Sequence, residues 1–204
     1  MNYEVFPVGP FEANCSILWD DPAQAWVVDP GADSAVILGL MEKRGLKAGV
    51  VVLTHSHFDH ISALNEILAK FPVPVYLHAE EVPFAFSPMN AMPPYRSTAR
   101  PALLVTDKRE GDEIACGGLT ARLIHTPGHT PGGWCLYFEK EKLLVAGDTL
   151  FAGSVGRTDL PGGSETLLKA SLQKLRALPD DTRVICGHGP QTTLGAEKRS
   201  NPYL

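Results

Sequence analysis

Residues 49–60 read GVVVLTHSHFDH, a continuous apolar run followed by six residues of which four carry metal-binding side chains. The apolar run predicts a strand that is buried on both faces of a sheet. On an extended chain, residues two apart point to the same side, so we expect His55, His57 and Asp59 to face one cavity. His60 breaks this parity at the start of the next helix and reaches the cavity from another direction. This stretch predicts a metal site at the end of a buried strand.

Short apolar stretches alternate with turn residues along the rest of the chain. We expect strands at residues 3–8, 15–19, 25–28, 49–53, 73–77, 103–105, 113–115, 119–124, 133–138, 143–146 and 183–186. We expect helices at residues 34–44, 61–71 and 167–178, where apolar positions recur at helical spacing. The strands form two groups, each followed by helices. This order indicates an α/β fold in which two sheets pack face to face with helices outside.

Residues 80–101 interrupt this pattern. They contain five prolines and several aromatic side chains. A proline-rich segment of this length predicts an irregular excursion that forms a rim or lid.

Three more candidate ligands follow predicted strands. His129, Asp148 and His188 each lie beside glycine, which lets the backbone come close to a site. A site for one metal needs about three protein ligands, so seven candidates predict two metals. Asp148 has two carboxylate oxygens and is the natural bridge between them. Two such ions about 3.5–4 Å apart lower the pKa of a shared water toward about 7.

The order HxHxDH, then His129, Asp148 and His188, resembles the metallo-β-lactamase superfamily. The resemblance implies a four-layer αββα sandwich, formed by one domain over residues 1–204 without a separate C-terminal substrate-binding domain. It also implies a role for each candidate residue. His55, His57 and His129 hold the first metal; Asp59, His60 and His188 hold the second; Asp148 bridges the two; and Asp29 braces the ligand loop.

Three stretches are similar to the short form of the glyoxalase II group, the hydroxyacylglutathione hydrolases: residues 126–132, 147–163 and 187–204. This similarity implies hydrolysis of a glutathione-type thioester by a hydroxide between the metals, with Asp59 and Asp148 as catalytic residues. Arg157 then binds a substrate carboxylate, for which its planar guanidinium is suited.

A second branch remains open. The persulfide dioxygenases share the stretch GRTD and bind one iron, here on His55, His129 and Asp148. Histidine and carboxylate ligands suit Zn, Fe and Mn alike, and we expect Zn for the hydrolase.

The overall composition excludes other classes of function. The net charge is −5 and basic residues do not cluster, so we expect no nucleic-acid partner. No apolar run approaches the roughly 20 residues that span a bilayer, which predicts no membrane partner. The N-terminus lacks the features of a secretion signal, which predicts a cytoplasmic protein. We therefore expect a monomer or homodimer that acts on a small molecule.

Overall fold

The computed structural model describes residues 1–95 and 97–204. Within these residues there are fourteen strands and six α-helices. The strands are β1 Asn2–Val8, β2 Ala13–Trp19, β3 Ala25–Val28, β4 Ala48–Val52, β5 Val75–Tyr76, β6 Leu104–Val105, β7 Glu113–Cys116, β8 Leu119–His125, β9 Trp134–Phe138, β10 Leu143–Gly147, β11 Leu150–Phe151, β12 Ser154–Val155, β13 Arg183–Cys186 and β14 Thr192–Thr193. The helices are α1 Ser34–Lys43, α2 Phe58–Ile61, α3 Leu64–Lys70, α4 Val82–Ala85, α5 Glu165–Arg176 and α6 Leu194–Ser200.

Two six-stranded sheets form the body of the protein. The first has the order β1-β2-β3-β4-β5-β6, and its strands are parallel from β3 onward. The second has the order β14-β13-β10-β9-β8-β7, with β10 and β13 parallel and the other pairs antiparallel. A separate hairpin joins β11 to β12.

Alternating side chains of the strands divide the core into three apolar layers. Val50 and Val52 of β4 point between the sheets, whereas Val51 packs toward helices α1 and α3. On the second sheet, Phe138 points between the sheets and Tyr137 packs toward helices α5 and α6. Both faces of each sheet are therefore covered. The predicted four-layer αββα sandwich is confirmed.

Strand direction brings the candidate site to one edge. Within the second sheet, β9 is antiparallel to both β8 and β10, so β8, β10 and β13 run the same way and end at one edge. In open α/β sheets the carboxyl ends of strands are where ligands bind. The first sheet is joined to this edge by the Trp134 backbone N–H, which donates to the Thr54 carbonyl at 3.0 Å, just beyond β4.

Several elements differ from the sequence prediction. The helix expected at residues 61–71 is two helices, because the Ala63 backbone N–H bonds to the Pro30 carbonyl at 2.9 Å. The strand expected at 73–77 keeps only Val75–Tyr76. Hairpin β11–β12, strand β14 and helix α6 were not predicted, since their short apolar patterns give weak periodic signals.

The proline-rich segment 80–101 is mainly irregular, as expected, but it includes helix α4. Arg96 of that segment lies outside the described residues. Among the described residues, no helix combines the length and hydrophobicity needed to cross a bilayer.

Phe138 tests the packing between the sheets. Its side chain is fully buried and its ring lies 5.2 Å from that of Trp26, edge to face. Phe138→Ala leaves a cavity and should lower the free energy of unfolding by about 3–5 kcal/mol. The measurement is urea unfolding of metal-free protein, because bound metals obscure two-state behaviour. Leu167→Ala, at a half-exposed position, is the control and should change it by less than about 0.5 kcal/mol. Equal effects would contradict the assigned core.

Candidate metal centre

The seven predicted ligands converge at the shared edge of the sheets in two groups of three plus one. Within each group, the donor atoms lie within 4.8 Å of one another. The groups are His55, His57 and His129, and Asp59, His60 and His188. The structure thus brings together the residues that the sequence predicts for the first and second metal.

Asp148 lies between the two groups. Its Oδ2 is 3.5 Å from His129 Nε2 of the first group and 3.5 Å from His188 Nε2 of the second. Its Oδ1 is 3.4 Å from His60 Nε2. One carboxylate therefore faces both groups, which is the placement that a bridging ligand requires.

Hydrogen bonds on the outer ring nitrogens set the direction of four imidazoles. Nδ1–H of His129 donates to the Arg157 carbonyl at 2.7 Å, and that of His188 donates to the Phe11 carbonyl at 2.9 Å. His60 Nδ1–H donates to Asp29 at 3.0 Å, and His55 Nδ1 lies 3.1 Å from the Thr54 hydroxyl. Each of these contacts places Nδ1 on the outside and directs Nε2 toward the interior, where it can bind a metal once it carries no proton. Such outer partners fix the tautomer of metal-binding histidines.

Asp29 accepts hydrogen bonds from both strand and helix. Its Oδ1 accepts from the Thr54 backbone N–H at 2.7 Å, and its Oδ2 accepts from the Thr54 hydroxyl at 2.6 Å and from His60. Asp29 is buried and has φ of 50°, an uncommon conformation for a residue other than glycine. Although Asp29 also lies within reach of His55 and His60, its oxygens are already occupied. It therefore suits the bracing role expected from the sequence.

The buried nitrogen and oxygen atoms of the site fit bound cations. His129 Nε2 and His57 Nδ1 lie 2.9 Å apart and are hydrogen-bonded to each other, while Nδ1 of His129 donates to the Arg157 carbonyl. His55 Nε2 and Asp148 Oδ1 are buried without a hydrogen-bond partner. Buried donors and acceptors without partners are costly. Histidine nitrogens and carboxylate oxygens with converging lone pairs are what a divalent transition metal binds.

Three glycines allow the backbone to pass close to the ligands. A Cβ atom on Gly31 would lie 1.7 Å from the Asp59 carbonyl oxygen, and one on Gly156 would lie 1.8 Å from that of Asp148. A Cβ on Gly187 would lie 2.0 Å from Asp148 Oδ1. The glycines beside the ligands are therefore required by close approach.

The two groups differ in charge before metal binds. Burial, together with nearby His129, lowers the pKa of His57 to about 3, and burial lowers the pKa of His55 well below its usual value, so these two members of the first group are neutral. Burial opposes a charge on His60, but Asp148, Asp29 and Asp59 raise its pKa to about 10. The second group therefore holds a proton near neutral pH.

Asp59 shares this charged network. Burial opposes its ionisation, but the hydrogen bond from His188 and the charge on His60 hold the pKa of Asp59 at about 2. The carboxylate of Asp59 is thus ionised at any pH at which the enzyme would work.

Asp59 lies on the same cavity as His57, but it reaches that cavity from a helical turn rather than from an extended segment. Helix α2 begins at Phe58, so Asp59 lies in a helical turn and its carboxylate groups with His60 and His188.

Arg157, the residue predicted to bind a substrate carboxylate, is already paired with a carboxylate of the protein. Its Nε and Nη2 donate to Asp159 at 2.7 Å each.

The sequence did not reveal Glu81 and Asn90. The buried Glu81 carboxylate accepts from the backbone N–H and the hydroxyl of Ser56, and from the Gly132 N–H at 2.7 Å. Asn90 Nδ2 donates to the Ser56 carbonyl at 2.6 Å. These residues join the His55–His57 loop to the His129 loop. Both lie in the segment expected to be irregular, where no periodic pattern marks a buried polar residue.

Comparisons with known proteins agree with this site. The model of the metallo-beta-lactamase superfamily matches residues 8–188. Hydroxyacylglutathione hydrolase GloC of Haemophilus influenzae is 36% identical over 208 residues, covering 100% of this chain and 98% of that protein.

Solved structures show the same fold. BLEG-1 B3 metallo-beta-lactamase superposes with a TM-score of 0.91 at 38% identity, covering 100% of this chain and 99% of that one. TTHA1623 in a di-iron-bound form gives 0.85 at 36% identity, with 98% and 100% coverage. ETHE1 from Myxococcus xanthus gives 0.80 at 26% identity, with 99% and 84% coverage.

The charge difference between the groups predicts stepwise metal uptake. An ion entering the first group meets neutral His55 and His57, whereas one entering the second must expel the proton of His60. Because the pKa of His60 is raised to about 10, affinity of the second group should rise as pH increases from 7 toward 10. Calorimetric titration of metal-free protein, in buffers of different ionisation enthalpy, measures the protons released at each step. Equal proton release at both steps would contradict the assignment.

Gly187 tests the position of the bridging carboxylate. Gly187→Ala forces Asp148 Oδ1 to move, so metal content should fall below that of the wild type. Gly39→Ala is the matched control, since a Cβ there meets nothing within 4 Å. That variant should keep its metal and gain about 0.5–1 kcal/mol of stability, because Gly39 lies in a helix. Elemental analysis of both variants measures the metal content. Full metal content in Gly187→Ala would contradict the assignment of Asp148 as a closely held bridging ligand.

Proposed function

The chain belongs to the metallo-beta-lactamase superfamily, and from this we propose that it is a two-metal hydrolase of thioesters of the hydroxyacylglutathione type. Zinc as the working metal and the cytoplasm as the location are parts of the same proposal. The full-length similarity to GloC supports the thioester, since the name of that protein states this activity.

The proposal rests mainly on the arrangement of the metal-binding side chains in two groups. Two groups of three donors, with Asp148 facing both, suit two ions that share one carboxylate. Two divalent ions would lower the pKa of a shared water and polarise the carbonyl of the substrate.

Asp59 and the surrounding residues orient the attacking water, position the metal ligands and bind the substrate. The ionised Asp59 carboxylate accepts a hydrogen bond from the attacking water and orients it toward the thioester carbonyl. Asp29, Glu81 and the carbonyl of Arg157 hold the ligands in place, so little reorganisation accompanies the reaction. Arg157 would bind a carboxylate of the thiol part after releasing Asp159, an exchange between exposed groups.

A second candidate is oxidation of a persulfide by one iron. His129 and Asp148 lie 3.5 Å apart with His55 beside them, an arrangement that suits iron as well as zinc. TTHA1623, a structure similar to this one, is described in a di-iron-bound form, which supports iron as a metal for a site of this kind. Hydrolysis remains the better supported function, because the fully assembled second group is not needed by a single iron.

One set of assays separates the candidates. Protein loaded with zinc, and separately with iron, is given S-lactoylglutathione, glutathione persulfide with oxygen-uptake recording, and a chromogenic cephalosporin. The proposal expects thioester cleavage without oxygen uptake. Oxygen uptake on the persulfide, with no thioester cleavage, would establish the oxidase. Cleavage of the cephalosporin alone would point to the activity named for BLEG-1.

Asp59→Asn tests the residue that orients water. The amide keeps the size of the side chain but removes its charge, so kcat/KM for the thioester should fall by roughly 10²–10⁴-fold. Asp107→Asn, at an exposed position, removes the same charge and should leave the rate unchanged. Steady-state kinetics with metal content measured in parallel gives the answer. A variant at Asp59 with full rate would refute its catalytic role.

A further inference from the structure

The cavity above the candidate metal centre has a volume of about 540 Å³. Five predicted ligands form part of its lining, and six apolar side chains form most of the rest: Phe11, Phe58, Met92, Phe151, Val155 and Leu160. All lining residues belong to the described part of the chain. Apart from the ligands, Ser154 and Arg157 are the polar residues among them. The walls therefore favour an apolar group.

Phe11 is an exposed aromatic side chain that is nevertheless held in place. It is 47% exposed, yet its ring lies 5.5 Å from Phe58 and 5.7 Å from Tyr95. The Phe11 backbone N–H donates to the Tyr95 hydroxyl at 3.1 Å, and its carbonyl accepts from His188. An aromatic face that is rigid before binding gains apolar contact at little entropic cost.

The polar residues of the lining, apart from the ligands, lie on another element. Ser154 and Arg157 belong to strand β12 and the residues after it, and they also line a second cavity of about 680 Å³. Lys169, Gln173 and Tyr203 line that second cavity. The polar thiol part of the substrate can extend from the metal centre into this second cavity. The Phe11 side of the first cavity is then left for the acyl group.

The charge of Arg157 does not change the assignment of the acyl group to the Phe11 side of the cavity. Its Nε and Nη2 donate to Asp159, and the proposed function assigns its guanidinium to the thiol part of the substrate and not to the acyl group. Recognition of the acyl group therefore depends on apolar contact.

We propose that the preferred substrates are thioesters whose acyl group is an apolar aliphatic or aromatic chain packing against Phe11, Phe58 and Met92. This inference rests on the proposed hydrolase function and specifies its substrate class. It implies that glutathione thioesters of small hydroxyacyl groups, such as lactoyl, are cleaved but more slowly, because a small polar acyl group leaves much of the apolar lining exposed to water.

The test compares glutathione thioesters that differ in the acyl group alone: lactoyl, propanoyl, butanoyl, hexanoyl and phenylacetyl. The value of kcat/KM should rise about two- to fourfold for each added methylene, as expected for apolar burial, and should be higher for phenylacetyl than for lactoyl. Phe11→Ala should flatten this rise at unchanged metal content. Tyr203→Ala, which removes an exposed aromatic ring from the second cavity, should retain it.

A binding experiment provides a readout independent of turnover. Calorimetry with the zinc-loaded protein compares propanoate with phenylacetate, the corresponding product carboxylates. Phenylacetate should bind about tenfold more tightly in the wild type and in Tyr203→Ala, but not in Phe11→Ala.

The outcomes separate the two proposals. Equal turnover across the series, or fastest turnover of the lactoyl thioester, overturns the apolar acyl group and leaves the hydrolase standing. If no thioester is cleaved, the proposed function fails, and the binding of propanoate and phenylacetate alone tests the apolar site. A tenfold preference for phenylacetate that is lost in Phe11→Ala then supports the apolar site, and equal binding overturns it.

Discussion

The structure depends on one electrostatic constraint: histidine nitrogens and carboxylate oxygens converge in a buried site where some of them have no hydrogen-bond partner. His129 Nε2 and His57 Nδ1 are hydrogen-bonded to each other at 2.9 Å, whereas His55 Nε2 and Asp148 Oδ1 are buried without such a partner. In water such groups would separate or bind protons. Here the fold keeps them together, and one group partly compensates by holding a proton on His60. Cations satisfy the same donors more completely, because they remove the need for that proton.

The fold can impose this constraint because the ligands follow strand ends. Strands β8, β10 and β13 run in one direction and end at one edge, and β4 of the other sheet ends beside them. Rigid strands limit how far each ligand can retreat. Glycines at 31, 156 and 187 let the backbone approach, and Asp29 and Glu81 fix the loops from outside. A functional site of this kind is held by a wider shell of residues than those that touch the metals.

The sequence predicted the layers and the ligands because both leave local signals. A continuous apolar run such as that of β4 reveals a strand buried on both faces, and the cluster from His55 to His60 is too dense in metal-binding side chains for a surface loop. The grouping of Asp59 with His60 and His188 came from the family resemblance and not from local spacing, since it depends on a helix that starts one residue before Asp59. Glu81 and Phe11 could not be predicted. Their roles come from contacts with residues distant in the chain, which no local pattern encodes.

The candidate ligands and the apolar side chains line the same cavity. A substrate bound there would place its reacting thioester bond at the ligands and its acyl chain against the apolar side chains. Different residues would then determine the chemistry and the specificity. All of this requires that the converging donors hold two cations. The most direct measurement is the metal-to-protein ratio, obtained by inductively coupled plasma mass spectrometry on protein purified without chelator and supplemented with divalent metal. The account predicts two metals per chain. A ratio that saturates at one, or a protein that retains none, would contradict it.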